Sequence, residues 1–313
     1  MAETSLTLLE QALDKRWQVY AAQLETCRLQ ASKEAVHDLR VAMRRLLAVI
    51  DLFRALQPGP TLQKIRKRIK EQLDHLDELR DTQVILADLI NQQEQLPESR
   101  SFISHLQKRE RDLLRAGGKY VHSIRVGGLN RQIHSVMGAL EKYAETTDLD
   151  ALIPTVMDDY YARVLHQVSL LDPERAATIH QVRIAFRKFR YMMEIIFPLL
   201  PAFPQEMLKQ LHDYQDRMGH VQDIEILLEY LNEYVDKKHS FDPTPLSQFF
   251  YSQHQAAIDA FFASQGQVHD FWRPSAGAKY PWVSSTRRKR TAPALQATKN
   301  SATDTSSLQE ATE

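Results

Sequence analysis

The chain carries one segment twice. His37-Asp38-Leu39-Arg40-Val41-Ala42-Met43-Arg44-Arg45 returns 143 residues later as His180-Gln181-Val182-Arg183-Ile184-Ala185-Phe186-Arg187-Lys188. Both copies read H-x-x-R-x-x-x-R followed by Arg or Lys. A motif that recurs after a domain's worth of sequence restricts the fold to a duplicated unit that presents positive charge twice.

Helical spacing divides each copy into two faces. At about 100° per residue, His37, Arg40 and Arg44 fall within an arc of about 60°, and Val36, Leu39, Met43, Leu46, Ile50 and Phe53 gather opposite them. In the second copy Ile179, Val182, Phe186, Phe189, Met193 and Ile196 form the apolar face, and His180, Arg183, Arg187 and Arg190 the cationic one. Arg190 extends the second stripe where Leu47 interrupts the first. Further blocks then match at an offset of 142, pairing Lys67 with Lys209, Asp74 with Asp216 and Asp81 with Asp223. The one-residue difference is what a loop deletion would give.

Total charge is uninformative, because 40 Lys and Arg balance 40 Asp and Glu. A polyanion partner must therefore be read from segregation of charge. With 313 residues and 43% hydrophobic side chains, the chain can bury a substantial core. Cys27 is the sole cysteine, which excludes an intrachain disulfide, argues against a thiolate metal cluster and fits a reducing, cytoplasmic setting. No run of about 18 apolar residues and no apolar leader occurs, so neither membrane span nor signal peptide is expected.

Apolar positions recur at i, i+3 and i+4 almost throughout, which predicts an all-α fold. Prolines and polar runs divide it into helices over about 5–30, 33–56, 61–95, 98–116, 119–144, 151–171, 175–197, 204–237 and 245–264. Gly117-Gly118 ends or kinks one of them. The repeat groups these helices into halves of about 5–144 and 151–264, each resembling a four-helix unit, within a domain spanning 5–272. Residues 284–313 are polar and basic and are expected to be a disordered tail, with Arg287-Arg288-Lys289-Arg290 adding nonspecific affinity for anions.

Arginine presents a planar fork of donors that matches phosphate oxygens, and it stays charged at physiological pH. Histidine adds a donor whose imidazolium form a nearby anion favours. The bland alternative is a solvated helix face paired with acids such as Asp51 and Glu194. Conservation of residue types at matched positions in both copies favours a functional surface. Asp81 and Asp223 are read as acids that hold an arginine in place by charge-assisted hydrogen bonds.

Metal ligation is not expected, because the positions three and four after each motif histidine hold Arg40 and Val41, or Arg183 and Ile184. There is no G-x-x-x-x-G-K-S/T, G-x-S-x-G or H-E-x-x-H motif, so no catalytic residue is nominated. A phosphohydrolase or phosphotransferase remains the alternative, with Asp74, Asp216, Asp81 and Asp223 as its repeated acids. Nucleic acid also offers phosphates, but the cationic faces lack interleaved aromatics apart from Tyr191, which favours a phosphate chain without bases.

The duplicated motif, its following lysines and the Arg-Asp and Gln-Asp blocks resemble the CHAD family over about residues 5–264. The resemblance implies an all-α helical bundle of two four-helix repeats with pseudo-twofold symmetry, whose basic centre binds inorganic polyphosphate without a cofactor, in the cytoplasm at polyphosphate granules. The positions it carries over are His37, Arg40, Arg44, Arg45 and Lys67 in the first half, and His180, Arg183, Arg187, Lys188, Arg190 and Lys209 in the second. Some relatives add a triphosphatase domain with an E-x-E-x-K sequence, which is not found here, so a stand-alone binding module is implied. The chain departs from the pattern at Leu47 and at Asp77, where the second copy keeps Gly219.

Overall fold

The computed structural model describes residues 4–283, which form ten α-helices and no strand. The all-α expectation holds. The helices are α1 (Ser5–Leu29), α2 (Lys33–Leu56), α3 (Pro60–Asp74), α4 (Asp77–Asn91), α5 (Arg100–Ser123), α6 (Gly127–Ala144), α7 (Leu149–Val168), α8 (Ala177–Ile196), α9 (Glu206–Lys237) and α10 (Thr244–Ser264). Side-chain caps start several of them. Thr4, Ser32 and Asp148 each accept from a backbone N–H of the first turn of α1, α2 and α7, and Pro60 opens α3, where a missing N–H costs nothing.

The two motif helices meet. α2 packs on α8 and α4 on α9, while α1, α2 and α3 pack in sequence, as do α7, α8, α9 and α10. In this order of neighbours, α9 stands where α3 and α4 together stand in the first half. The apolar faces read from the sequence are buried: Leu39, Met43, Leu46, Val182, Phe186 and Phe189 are all fully enclosed. With these faces turned inward, His37 and Arg44 of the first stripe and Arg183, Arg187 and Arg190 of the second are left lining the space between the helices.

The helix expected over 61–95 is two helices, α3 and α4, broken at His75 and Leu76. Three tertiary contacts stabilise the break. The His75 ring stacks on Tyr120 of α5 at 4.0 Å. Arg40 reaches across from α2 to the Leu73 carbonyl at 3.1 Å and to Asp77 at 2.6 Å. The guanidinium thus sits at the C-terminal end of α3, and the carboxylate at the N-terminal end of α4, each at the helix pole that favours its charge.

Gly117 and Gly118 do not interrupt a helix; α5 runs through them to Ser123. A Cβ at Gly117 would come within 3.3 Å of Leu76, and one at Gly118 within 3.2 Å of Ala31. The pair therefore provides close approach between helices instead of a turn. The actual break falls at Ile124 to Val126, giving the first half six helices against four in the second.

Packing continues beyond α10. Phe271 and Trp272 are fully buried against Phe186 and Phe189 of the second motif helix, and Trp282 is 2% exposed. Trp272 donates to Asp158 at 2.7 Å, and Arg273 donates to both oxygens of the same carboxylate. Burying an aromatic side chain stabilises by roughly 1.5–3 kcal/mol, so these residues belong to the folded unit. No helix among the described residues is long and apolar enough to cross a membrane. The tail expected over 284–313, with its basic run, lies outside the described residues.

Candidate functional site

Between α2, α4, α8 and α9 lies a cavity of about 850 Å³. Its wall includes His37, Arg44 and Arg45 from α2, Arg183, Arg190 and Tyr191 from α8, and Lys209 from α9. A second cavity of about 340 Å³ adjoins it, with Arg44 and Tyr191 shared, and is lined further by Arg187, Lys188, Arg66 and Lys70. The structure thus brings side chains from both motif copies to one continuous depression.

Three expected positions lie apart from it or beneath it. Arg40 is 2% exposed and lines neither cavity, since its donors are committed to Leu73 and Asp77. Lys67 lines neither of these cavities; it stands in a smaller hollow that shares Arg66, Lys70 and Asp74 with the second one, and its ammonium is 3.8 Å from Glu71. His180 lines none of the cavities at the centre. Arg190 does face the larger cavity, but its guanidinium bonds Gln215 at 2.9 Å and Glu194 at 2.5 Å and lies 4.3 Å over the Tyr191 ring. Lys209 is exposed and paired with Asp213 at 3.0 Å.

The remaining arginines are close enough to disturb one another. Burial, with Arg183 and Arg44 adding to it, pushes the Arg187 guanidinium down to about 10. Arg183 is also pushed down, chiefly by burial, with Asp223 opposing and Arg44 reinforcing. Arg80 follows the same pattern, and burial together with Arg80 lowers His37. Arg44 contributes to all of these shifts, which places it at the middle of the cluster. None of Arg44, Arg183 and Arg187 makes an ion pair among the described residues.

Asp81 and Asp223 do not play the role read from the sequence. Neither hydrogen-bonds an arginine among the described residues; Arg40 takes Asp77 instead, and Arg183 takes the neutral Gln222 at 2.8 Å. Burial raises the pKa of both carboxyls, with nearby arginines opposing. They act through the field instead of direct bonds. Arg183 is left with a buried Nε–H that has no partner. It lies beside Gly219, where a Cβ would stand 3.7 Å from that nitrogen.

Arg80, His212 and His220 also line the large cavity, and motif reasoning did not nominate them. Arg80 was visible in the sequence as the partner of Asp81, at the place where the second half has Gln222. Its role depends on α4 packing against α9, which no local spacing announces. Among the described residues, no three His, Cys, Asp or Glu side chains are grouped so that they could hold a metal ion.

The fold and the site together define an all-helical bundle in which two matched cationic helices face a common depression. The family model described as the CHAD domain matches residues 11–232, and the chain belongs to the CHAD family. Its fold is similar to that in the "Crystal structure of the CHAD domain from the plant Ricinus communis", with a TM-score of 0.62 and 19% sequence identity over 94% of this chain and 96% of that one. That likeness is one of fold. No curated protein matches the sequence significantly.

Proposed function

We propose that the central depression binds inorganic polyphosphate, in keeping with what membership of the CHAD family implies. The observation that carries this reading is the meeting of Arg44, Arg183 and Arg187 without an ion pair, each half-buried, with Arg44 raising the cost of charge on both of the others. Such a cluster is relieved by an anion of high charge density, and guanidinium forks match phosphate oxygens. The reading includes the pseudo-twofold arrangement of the two halves, which lets both stripes serve one chain of phosphates.

Nucleic acid is the weaker reading for a specific reason. Tyr191 is the aromatic on the cavity wall, and Arg190 already covers its ring, so it offers no free platform for a base. We read the protein as a binding module without turnover. Of the repeated acids a phosphotransferase would use, Asp74 pairs with Lys70 and Asp216 with His212. We place this binding in the cytoplasm, at polyphosphate granules, which imaging of a fluorescent fusion beside a polyphosphate stain would test.

The deciding experiment is calorimetric titration with long-chain polyphosphate over a salt series, with single-stranded DNA of equal charge as competitor. Affinity should fall steeply as salt rises, because several counterions are released. Tighter binding to DNA would transfer the reading to the nucleic-acid class. Undetectable binding at low salt would end it.

A further inference from the structure

A third cavity, of about 590 Å³, lies between α1, α2 and the end of α8. It shares Val41, Arg45 and Glu194 with the central cavity, so the two are continuous. Its character is different. Carbon surface from Ala12, Val19, Val41 and Ile195 forms much of the wall, and Val19 remains 42% exposed. Gln11, Gln23 and Asp38 add hydrogen-bonding groups. Arg16 also lines this cavity; it donates to the Ala12 carbonyl at 3.3 Å and keeps a buried Nε–H with no partner.

A bare phosphate chain can use the cations of these walls, Lys15, Arg16 and Arg45, and little else. It cannot use carbon surface, and the carboxylates of Asp38 and Glu194 repel it. A planar, partly apolar head with an amino or hydroxyl edge uses both features: its rings cover the carbon surface, and Asp38 and the glutamine amides bond its edge. The cations Arg16 and Arg45 then lead toward the central arginines, which fits a head carrying a phosphate tail. The volume lies within the usual range of small-molecule pockets, about 300–1,000 Å³.

We propose that this cavity holds the base and sugar of a nucleoside oligophosphate whose phosphates occupy the central depression. The inference rests on the anion-binding reading above and adds an organic ligand class to it. The two ligands compete for the same arginines, so a nucleotide would displace short polyphosphate.

The test is titration of the full chain with ATP and with inorganic tripolyphosphate, which carry the same number of phosphates. Charge alone favours tripolyphosphate, so preference for ATP reports the head. ATP should bind at least about ten-fold more tightly. Val19→Trp and Gln23→Trp, each filling the cavity, should bring the ratio near one while leaving tripolyphosphate affinity unchanged. Photolabelling of the wild-type chain with 8-azido-ATP should mark peptides of α1 and α2, and this readout stands even if a tryptophan variant misfolds.

Equal or weaker binding of ATP, a preference that survives both tryptophans, or labelling elsewhere would each overturn the proposal. If long-chain polyphosphate binds while ATP does not, the inference fails and the polyphosphate reading stands. If no phosphate compound binds, both fall.

Discussion

Asp77 holds Arg40 at 2.6 Å across the break between α3 and α4. The matched pair in the second half is Gly219 and Arg183, where no carboxylate is available and α9 runs unbroken. One substitution in the sequence, Asp for Gly, therefore accompanies two differences in structure. In the first half the motif arginine has become part of the scaffold, joining two helix ends. In the second it keeps an unpartnered donor beside the cavity.

Replacing Asp77 by Gly should release Arg40 from its ion pair. Stability should fall by about 1–3 kcal/mol, the usual cost of losing a charge-assisted hydrogen bond from a buried partner. Polyphosphate affinity should rise, by roughly threefold or more, because a competing carboxylate is gone. Urea denaturation and calorimetry on the same preparation check both parts. Unchanged affinity would mean that the Arg40 guanidinium cannot reach the ligand even when freed.

Arginine truncations should separate into two kinds. Arg44→Ala, Arg183→Ala and Arg187→Ala should leave the fold intact and each weaken polyphosphate binding by about 1.5–3 kcal/mol, roughly ten-fold to more than a hundred-fold. Arg40→Ala should instead lower the melting temperature, with a smaller direct effect on binding, because it leaves Leu73 and Asp77 without their shared donor. Circular dichroism melts beside filter binding distinguish the two. If Arg40→Ala alone abolished binding in a stably folded protein, the central placement of the site would be wrong.

Arg187 makes stability depend on pH at the alkaline end. Its folded pKa is lowered to about 10, well below the ordinary arginine value, so the charged form is disfavoured on folding. That penalty is present in full below about pH 10, and it is relieved as pH rises through the window between the two values. Arg187→Met should therefore stabilise the free protein at neutral pH and remove this contribution, while weakening the ligand-bound state. Paired melts of wild type and variant, with and without polyphosphate, give the sign directly.

His37 provides a second, milder pH signal. Burial and neighbouring arginines hold its pKa below the ordinary imidazole value, which favours the neutral ring in the free protein. A bound polyanion should raise that value, and by linkage affinity should strengthen as pH falls from about 8 to 6. NMR titration of His37 with and without ligand is the measurement. A pKa that stays put on saturation with polyphosphate would remove His37 from the site.

What was legible in the sequence follows the range of the forces involved. The faces of α2 and α8 could be read because core and cation stripes are a matter of helical spacing within one segment. The break at His75 could not, because it depends on Tyr120 stacking and on Arg40 arriving from another helix. Gly117 was misread for the same reason: its lack of a side chain serves Leu76 across an interface, not a turn in its own backbone. Within the site, duplication identified Arg183 and Arg187, yet it gave Arg40 and Lys67 equal standing. Only packing reveals that one lies under the groove and the other outside it.

The anchoring of Trp272 and Arg273 to Asp158 bears on how the protein can be divided. The family match ends at residue 232, inside α9. A fragment cut there would lose the covering of Phe186 and Phe189, whose helix also presents Arg183 and Arg187. The consequence is that recombinant pieces trimmed to the family boundary would expose aromatic surface and clump, and a silent fragment would say nothing about the intact molecule. The smallest piece worth expressing runs to Trp282.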